Sequence, residues 1–145
     1  MAIKIAIASD HAGVDYKKRL IEHLTSHGYA CVNLGTDTEE SVDYPVYAER
    51  VCDKITHGEC DLGILICGTG IGMSMAANRH RGIRAALCMN TESAVLTRQH
   101  NNANILCLGA RMLPYEKAVE ITDAFLGAYF LGGRHQKRID MLDNI

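Results

Sequence analysis

The chain has 145 residues, 48% of them hydrophobic and 22% charged, which is one domain's worth of sequence with enough apolar surface for its own core. That excludes a disordered chain and a miniprotein that depends on disulfides. With 15 basic and 17 acidic residues the net charge is −2, so no cationic field draws it to nucleic acid or an anionic membrane. No apolar run approaches the roughly 18–20 residues of a membrane span. Residues 3–8 form a β-branched first strand; Met1 runs almost straight into it, leaving no signal peptide, and a cytoplasmic protein is expected. A helix over 13–27 follows, with Val14, Leu20, Ile21 and Leu24 on its apolar face and Gly28 at its end. The second strand spans 29–34. After a polar stretch over 36–43, Pro45 opens a helix over 45–57. Residues 62–67 are apolar throughout, as in a strand buried on both faces. A glycine-rich turn leads to a helix over 71–79, a fourth strand over 83–89, a helix over 91–100 and a fifth strand over 104–108. Pro114 opens a long helix to about 130, whose Phe125, Tyr129, Phe130 and Leu131 suit either the sheet or a partner subunit. Gly132 and Gly133 break it, and the last helix covers 134–143. Strands alternating with helices predict a Rossmann-like three-layer α/β/α sandwich, a single domain over 1–145 with a five-stranded parallel sheet. The order of strands four and five stays open.

Ligands of open parallel sheets bind beyond the carboxyl ends of the strands. There the sequence places Asp10 and His11 after strand one, Cys67-Gly68-Thr69-Gly70-Ile71-Gly72 after strand three, and Arg111 after strand five. Alternating glycines before a helix expose backbone N–H groups and make a cradle for an anion. A dinucleotide fingerprint does not fit, because Met73 stands where its last glycine belongs, and a phosphate-binding loop of the Gly-Lys-Ser/Thr kind is absent. The plain alternative is a tight turn without a ligand.

Six cysteines occur without a CxxC pair, so neither a zinc site nor a disulfide framework is indicated. Five read as small core residues; Cys67 differs, because a thiol just before a helix N-terminus is expected to have its thiolate stabilised and to serve as base or nucleophile. His23, His27, His57 and His80 read as surface residues, while His100 ends the fourth helix and is either a dipole-stabilised surface group or functional. Arg134 and Arg138, four apart, share a helix face suited to phosphate oxygens or simply to solvent.

The segments Ser9-Asp10-His11-Ala12-Gly13, Asp43-Tyr44-Pro45, Ile66 to Gly72, Arg98-Gln99-His100-Asn101-Asn102 and Gly132-Gly133-Arg134-His135 together resemble ribose-5-phosphate isomerase type B. Related isomerases of galactose 6-phosphate and allose 6-phosphate share that fold. The resemblance spans nearly the whole chain. It implies interconversion of ribose 5-phosphate and ribulose 5-phosphate, an activity of the pentose phosphate pathway, through an enediolate and with neither metal nor cofactor. By that analogy Cys67 is the base between C2 and C1, and His100 the acid/base that opens the furanose ring. Asp10, His11 and Tyr44 would face the sugar. Gly68, Gly70, Ile71 and Gly72 would stabilise the enediolate oxygen, assisted by Thr69, and Asn101 would bind a hydroxyl. Arg111, Arg134 and Arg138 would together hold the phosphate, with His135 nearby. A branch of this family uses a glutamate just after the turn; Met73 and Ser74 stand there, which places the chain with the cysteine branch. The family's habit implies a homodimer or tetramer with a shared active site. The alternatives are a hexose 6-phosphate isomerase on the same scaffold and a non-catalytic phosphosugar-binding module.

Overall fold

Strands that are apolar on both faces are stable only between two layers of helices. The computed structural model, which describes residues 1–145, resolves the chain into that arrangement. Its elements are β1 (Lys4–Ser9), α1 (Val14–Ser26), β2 (Ala30–Asn33), α2 (Tyr44–Thr56), β3 (Leu62–Cys67), α3 (Ile71–Ala77), β4 (Ala85–Leu87), α4 (Thr91–Asn101), β5 (Ile105–Gly109), α5 (Tyr115–Leu126) and α6 (Arg134–Asp143), with a short 3-10 turn at His11–Gly13 between β1 and α1. All strands are parallel, in the order β2-β1-β3-β5-β4. The question left open by the sequence is settled by burial. All of β5 is buried and lies beside β3, whereas β4 is half-buried and takes the edge.

Side chains alternate across the sheet and feed two separate cores. Ile5, Ile7, Ile64, Ile66, Leu106 and Leu108 face α1, α4 and α5, where Leu20, Leu24, Ile121 and Phe125 meet them. Ala6, Ala8, Leu65, Cys67 and Cys107 face α2 and α3, against Ala48, Val51, Cys52, Met73 and Ala77. Each large side chain fully buried here contributes about 1.5–3 kcal/mol. α6 stands outside these layers and packs on α4.

Two boundaries differ from the sequence expectation. The long helix ends at Leu126: the Gly127 N–H makes the last helical bond, to Asp123 O at 2.9 Å, and the Ala128 N–H then turns tighter, to Phe125 O at 3.5 Å. The apolar run beyond it is no helix: Leu131 N–H donates to Gln99 O at 3.0 Å, with Tyr129 and Leu131 exposed. The fourth strand is three residues, not seven; at Arg84 the N–H turns to the Asn104 side chain instead of a ladder partner.

From β1 the chain moves out to β2, then returns through α2 to β3 on the other side of β1. The crevice above the carboxyl ends of β1 and β3 is therefore the topological switch point of the sheet, where such folds bind ligands.

Candidate active site

Cys67 ends β3 with its side chain 5% exposed. Its sulfur accepts the Gly70 N–H at 3.2 Å, which is the one charge-stabilising contact the turn makes with it. The turn between β3 and α3 is possible only because of Gly70. Its φ is +78°, and a Cβ there would lie 2.6 Å from the Leu87 side chain and 2.9 Å from the Leu108 carbonyl carbon. The Ile71 N–H is taken by Thr69 Oγ1 at 3.2 Å. The N–H groups of Gly68, Thr69, Gly72 and Met73 find no acceptor within the chain. Free backbone donors thus line the turn that follows the buried thiol, the kind of group that stabilises an oxyanion.

Burial pushes up the thiols of Cys31, Cys60, Cys88 and Cys107, and that of Cys52 to about 12. Cys52, Cys60, Cys88 and Cys107 are core residues, and half-buried Cys31 packs against the core.

Three neighbouring segments close on this turn. Asp10 is buried, and its Oδ1 accepts the Ala12 N–H at 2.9 Å, which caps the short turn after β1 and leaves the other oxygen available. Its own N–H donates to Ile66 O, one residue before the thiol. His11 Nδ1 accepts the Val42 N–H at 3.3 Å, so a neutral ring carries its proton on Nε2. The Tyr44 ring, at the start of α2, lies over Gly72: a Cβ on Gly72 would fall 2.7 Å from the Tyr44 Cζ. From β5, Ala110 and Arg111 donate their N–H groups to Cys67 O and Gly68 O at 2.9 Å each, and the Arg111 side chain runs along Gly68. Asp10, His11, Tyr44, Cys67, Thr69 and Arg111 therefore belong to one crevice within one chain.

His100, Asn101, Arg134 and Arg138 do not. α4 begins beyond the carboxyl end of β4 and ends where β5 begins, so His100 and Asn101 lie at the opposite edge of the sheet. A strand of this length separates the two edges by roughly 15–20 Å. Arg98 turns inward, donating to Ala103 O and Asn102 Oδ1, and so anchors the segment while His100 and Asn101 face outward. The His135 ring stacks on His100, with centroids 4.4 Å apart and planes 16° off parallel. Desolvation, and then the neighbouring His100, Arg134 and Arg138, hold the His135 imidazole below its usual value. Arg84 pairs with Asp143 at 3.0 Å and ties the far end of α6 to the start of β4. A cleft of about 710 Å³ opens here, with Arg79, Arg81, Arg84 and Asn101 in its wall. One chain thus divides the sequence-predicted residues between two edges, and Arg111 is separated from Arg134 and Arg138.

Residues 5–142 match the model of a family described as ribose/galactose isomerase. The chain belongs to this family. It is 46% identical over 142 residues to ribose-5-phosphate isomerase B of Escherichia coli, which covers 98% of this chain and 95% of that one. The crystal structure of a ribose 5-phosphate isomerase from Thermotoga maritima superposes with a TM-score of 0.97 at 52% identity, covering all of both chains. The isomerase of Mycoplasma genitalium, solved with bound ribulose 5-phosphate, superposes with a TM-score of 0.94 at 46% identity over 99% of this chain and 96% of that one.

In this ribose/galactose isomerase the sequence reading passed over two supports of the site. One is the polar loop between β2 and α2, whose Val42 orients His11. The other is Lys17, a charged residue within the apolar face of α1 formed by Val14, Leu20 and Leu24. Its spacing was the available signal, because a lysine at a core-facing position must find a partner.

Proposed function

We propose that this chain interconverts ribose 5-phosphate and ribulose 5-phosphate, and that its working site is assembled from two copies of the chain. The observation that carries the chemistry is the Cys67 sulfur set within a turn of free backbone N–H groups, flanked by Asp10, His11 and Arg111. In the open-chain aldose, the Cys67 thiolate removes the C2 proton. The electron pair forms the C1–C2 double bond, and charge collects on the carbonyl oxygen at C1. Preorganised N–H donors at that oxygen stabilise the enediolate, each by several kcal/mol relative to water (about 3–4 for one lost donor). The thiol then returns the proton to C1 while the C2 hydroxyl proton passes to the oxyanion at O1, leaving a ketone at C2, a hydroxyl at C1 and the thiolate restored. No electrons leave the sugar. The identity of the relatives supports the substrate: one is solved with ribulose 5-phosphate bound.

The separation of the two edges within one chain supports the two-copy site. Phosphate needs the forked donors of arginine, and His100, Asn101, Arg134 and Arg138 gather at an edge that holds no nucleophile. A second copy brings that edge over the Cys67 crevice. Its Arg134 and Arg138 then join Arg111 on the phosphate, and its His100 transfers the proton that opens the furanose ring.

The test is direct. Chelator-treated protein is expected to convert ribose 5-phosphate, and Cys67→Ala to abolish turnover while still binding the sugar phosphate. Turnover at the wild-type rate in that variant would overturn the cysteine-base reading. The family's description covers galactose as well as ribose, so rates on a pentose 5-phosphate and a hexose 6-phosphate are compared in the same assay. Faster turnover of the hexose would move the substrate but keep the chemistry. Tight binding without turnover of either would make the chain a binding module.

A further inference from the structure

Lys17 is the only basic side chain the fold buries completely. A methionine would fill the same place on α1 with less desolvation cost, so packing alone does not call for an ammonium there. Its Nζ donates to Asn33 Oδ1 at 2.9 Å and to Asp37 Oδ1 at 2.7 Å. Asn33 Nδ2 donates to the same Asp37 oxygen at 3.0 Å, and the Gly35 N–H donates to Asn33 Oδ1 at 3.0 Å. The ammonium thus clamps the first residues of the loop over 34–43 from below. That loop is stitched to the end of β1: Ser9 N–H donates to Gly35 O and Thr36 N–H to Ser9 O, both at 2.8 Å. Asp10 and His11 follow Ser9 directly. At its other end the loop presents Val42 N–H to His11 and leads into Tyr44.

We propose that Lys17 is a positioning residue of the site: through Asn33 and Asp37 it fixes the loop over 34–43, and through Ser9 and Val42 that loop sets where Asp10, His11 and Tyr44 meet the sugar. The sugar's identity rests on the isomerase reading above; the clamp itself does not. The Lys17 side chain touches no substrate atom, so its effect is transmitted.

The test compares full-length wild type, Lys17→Met, Asp37→Asn and the double variant. In Lys17→Met, kcat on ribose 5-phosphate is expected to fall about 10–100-fold, the loss typical of a small misplacement of contact groups. Inhibition by inorganic phosphate is expected to stay within about twofold, because Arg111 is held by the turn at Gly68 and Arg134 and Arg138 by α6, none of them by the loop over 34–43. Amide exchange at Thr36 and Val42 is expected to accelerate while Leu65 and Leu106 stay protected. The double variant is expected to be no worse than Lys17→Met alone, since both changes cut one linkage. Wild-type kcat in a folded Lys17→Met with lowered Tm, equal loss of phosphate inhibition, or additive effects in the double variant would each overturn the proposal. If Lys17→Met does not fold, Asp37→Asn decides, since half of the Asp37 side chain is in solvent. Faster exchange at Thr36 and a lower kcat are then expected, and unchanged values for both overturn the proposal. If wild type itself does not isomerise ribose 5-phosphate, the functional reading fails, and exchange at Thr36 and Val42 still decides the clamp.

Discussion

A thiol serves as a carbon base only where its charged form is held and its surroundings also receive the charge that forms on the substrate. In the proposed role Cys67 would draw on groups three residues away or fewer: the Gly70 N–H on its sulfur and the free amides of Gly68 and Thr69 in the same turn. If Cys67 is the base, as proposed, Cys67→Ala is expected to lower kcat by about 10²–10⁴-fold or more, measured by coupled assay. Limiting iodoacetamide at neutral pH is expected to label Cys67 ahead of the other thiols, because burial raises all five of those. Peptide mapping reads the site of label, and first modification at Cys31 or Cys107 would contradict the assignment. Gly72→Ala separates sugar contact from base. The new methyl group meets the far end of the Tyr44 ring, which is 38% exposed and able to swing away. A small change in Tm with a severalfold rise in KM is expected, and an unchanged KM would remove Tyr44 from the sugar pocket. Gly70→Ala is the contrasting case. It places a methyl against the Leu108 backbone at positive φ, and a loss of about 1–3 kcal/mol in a denaturant titration is expected from strain alone.

At the scale of elements, the clamp beneath the loop gives a pH signature. The Lys17 ammonium, then Asn33, hold the Asp37 carboxyl below the ordinary carboxylate range. A carboxyl whose folded pKa is depressed adds stability above its unfolded value, near 3.9, and loses it as the pH falls through the lower folded value. Asp37→Asn is therefore expected to lower Tm by roughly 1–4 °C at neutral pH, a modest effect because Asp37 is half in solvent. The gap to wild type is expected to close as the pH drops below about 4. A constant gap down to pH 2 would show that the charge of Asp37 is not what the fold uses. The elements that carry the crevice were legible in the sequence for a physical reason. The apolar runs of β1, β3 and β5 are closed by Ser9, Gly68 and Gly109, so their carboxyl ends, with Asp10, Cys67 and Arg111, could be read directly. Two features were hidden for equally physical reasons. Apolar Tyr129, Phe130 and Leu131 continue a helical pattern past Gly127, whose backbone nevertheless closes α5. The spacing of Lys17 marks it as core-facing, but its role was hidden because its partners Asn33 and Asp37 are distant in sequence and meet it only once α1 lies on β2.

For the whole molecule, the decisive feature is the division of the proposed site residues between two edges of one sheet. Sequence patterns assign residues to strand ends and helix ends, but periodicity carries no information about which copy of a chain supplies each end. The topology shows how far apart one chain holds them: α4 must run antiparallel to the strands to reach β5, which takes His100 and Asn101 to the edge away from Cys67. α6, stacked on His100 through His135 and tied to Arg84 through Asp143, carries Arg134 and Arg138 to the same edge. If the working site joins the Cys67 crevice of one copy to the arginine edge of another, two inactive variants repair each other. Cys67→Ala and His100→Ala, mixed in equal amounts and allowed to exchange subunits, form mixed dimers in about half of the population. Each mixed dimer has one site with both residues intact and one with neither, so activity is expected to recover to about a quarter of wild type. Each variant alone is expected to stay at its own low rate. A site built wholly within one chain predicts no recovery at any mixing ratio, because every site would then lack one residue. The recovered activity should also match wild type in KM for ribose 5-phosphate, since the repaired site contains every original group. A higher KM at restored kcat would mean that the arginines of α6 had not returned with His100, and that α6 does not move as one piece with the end of α4.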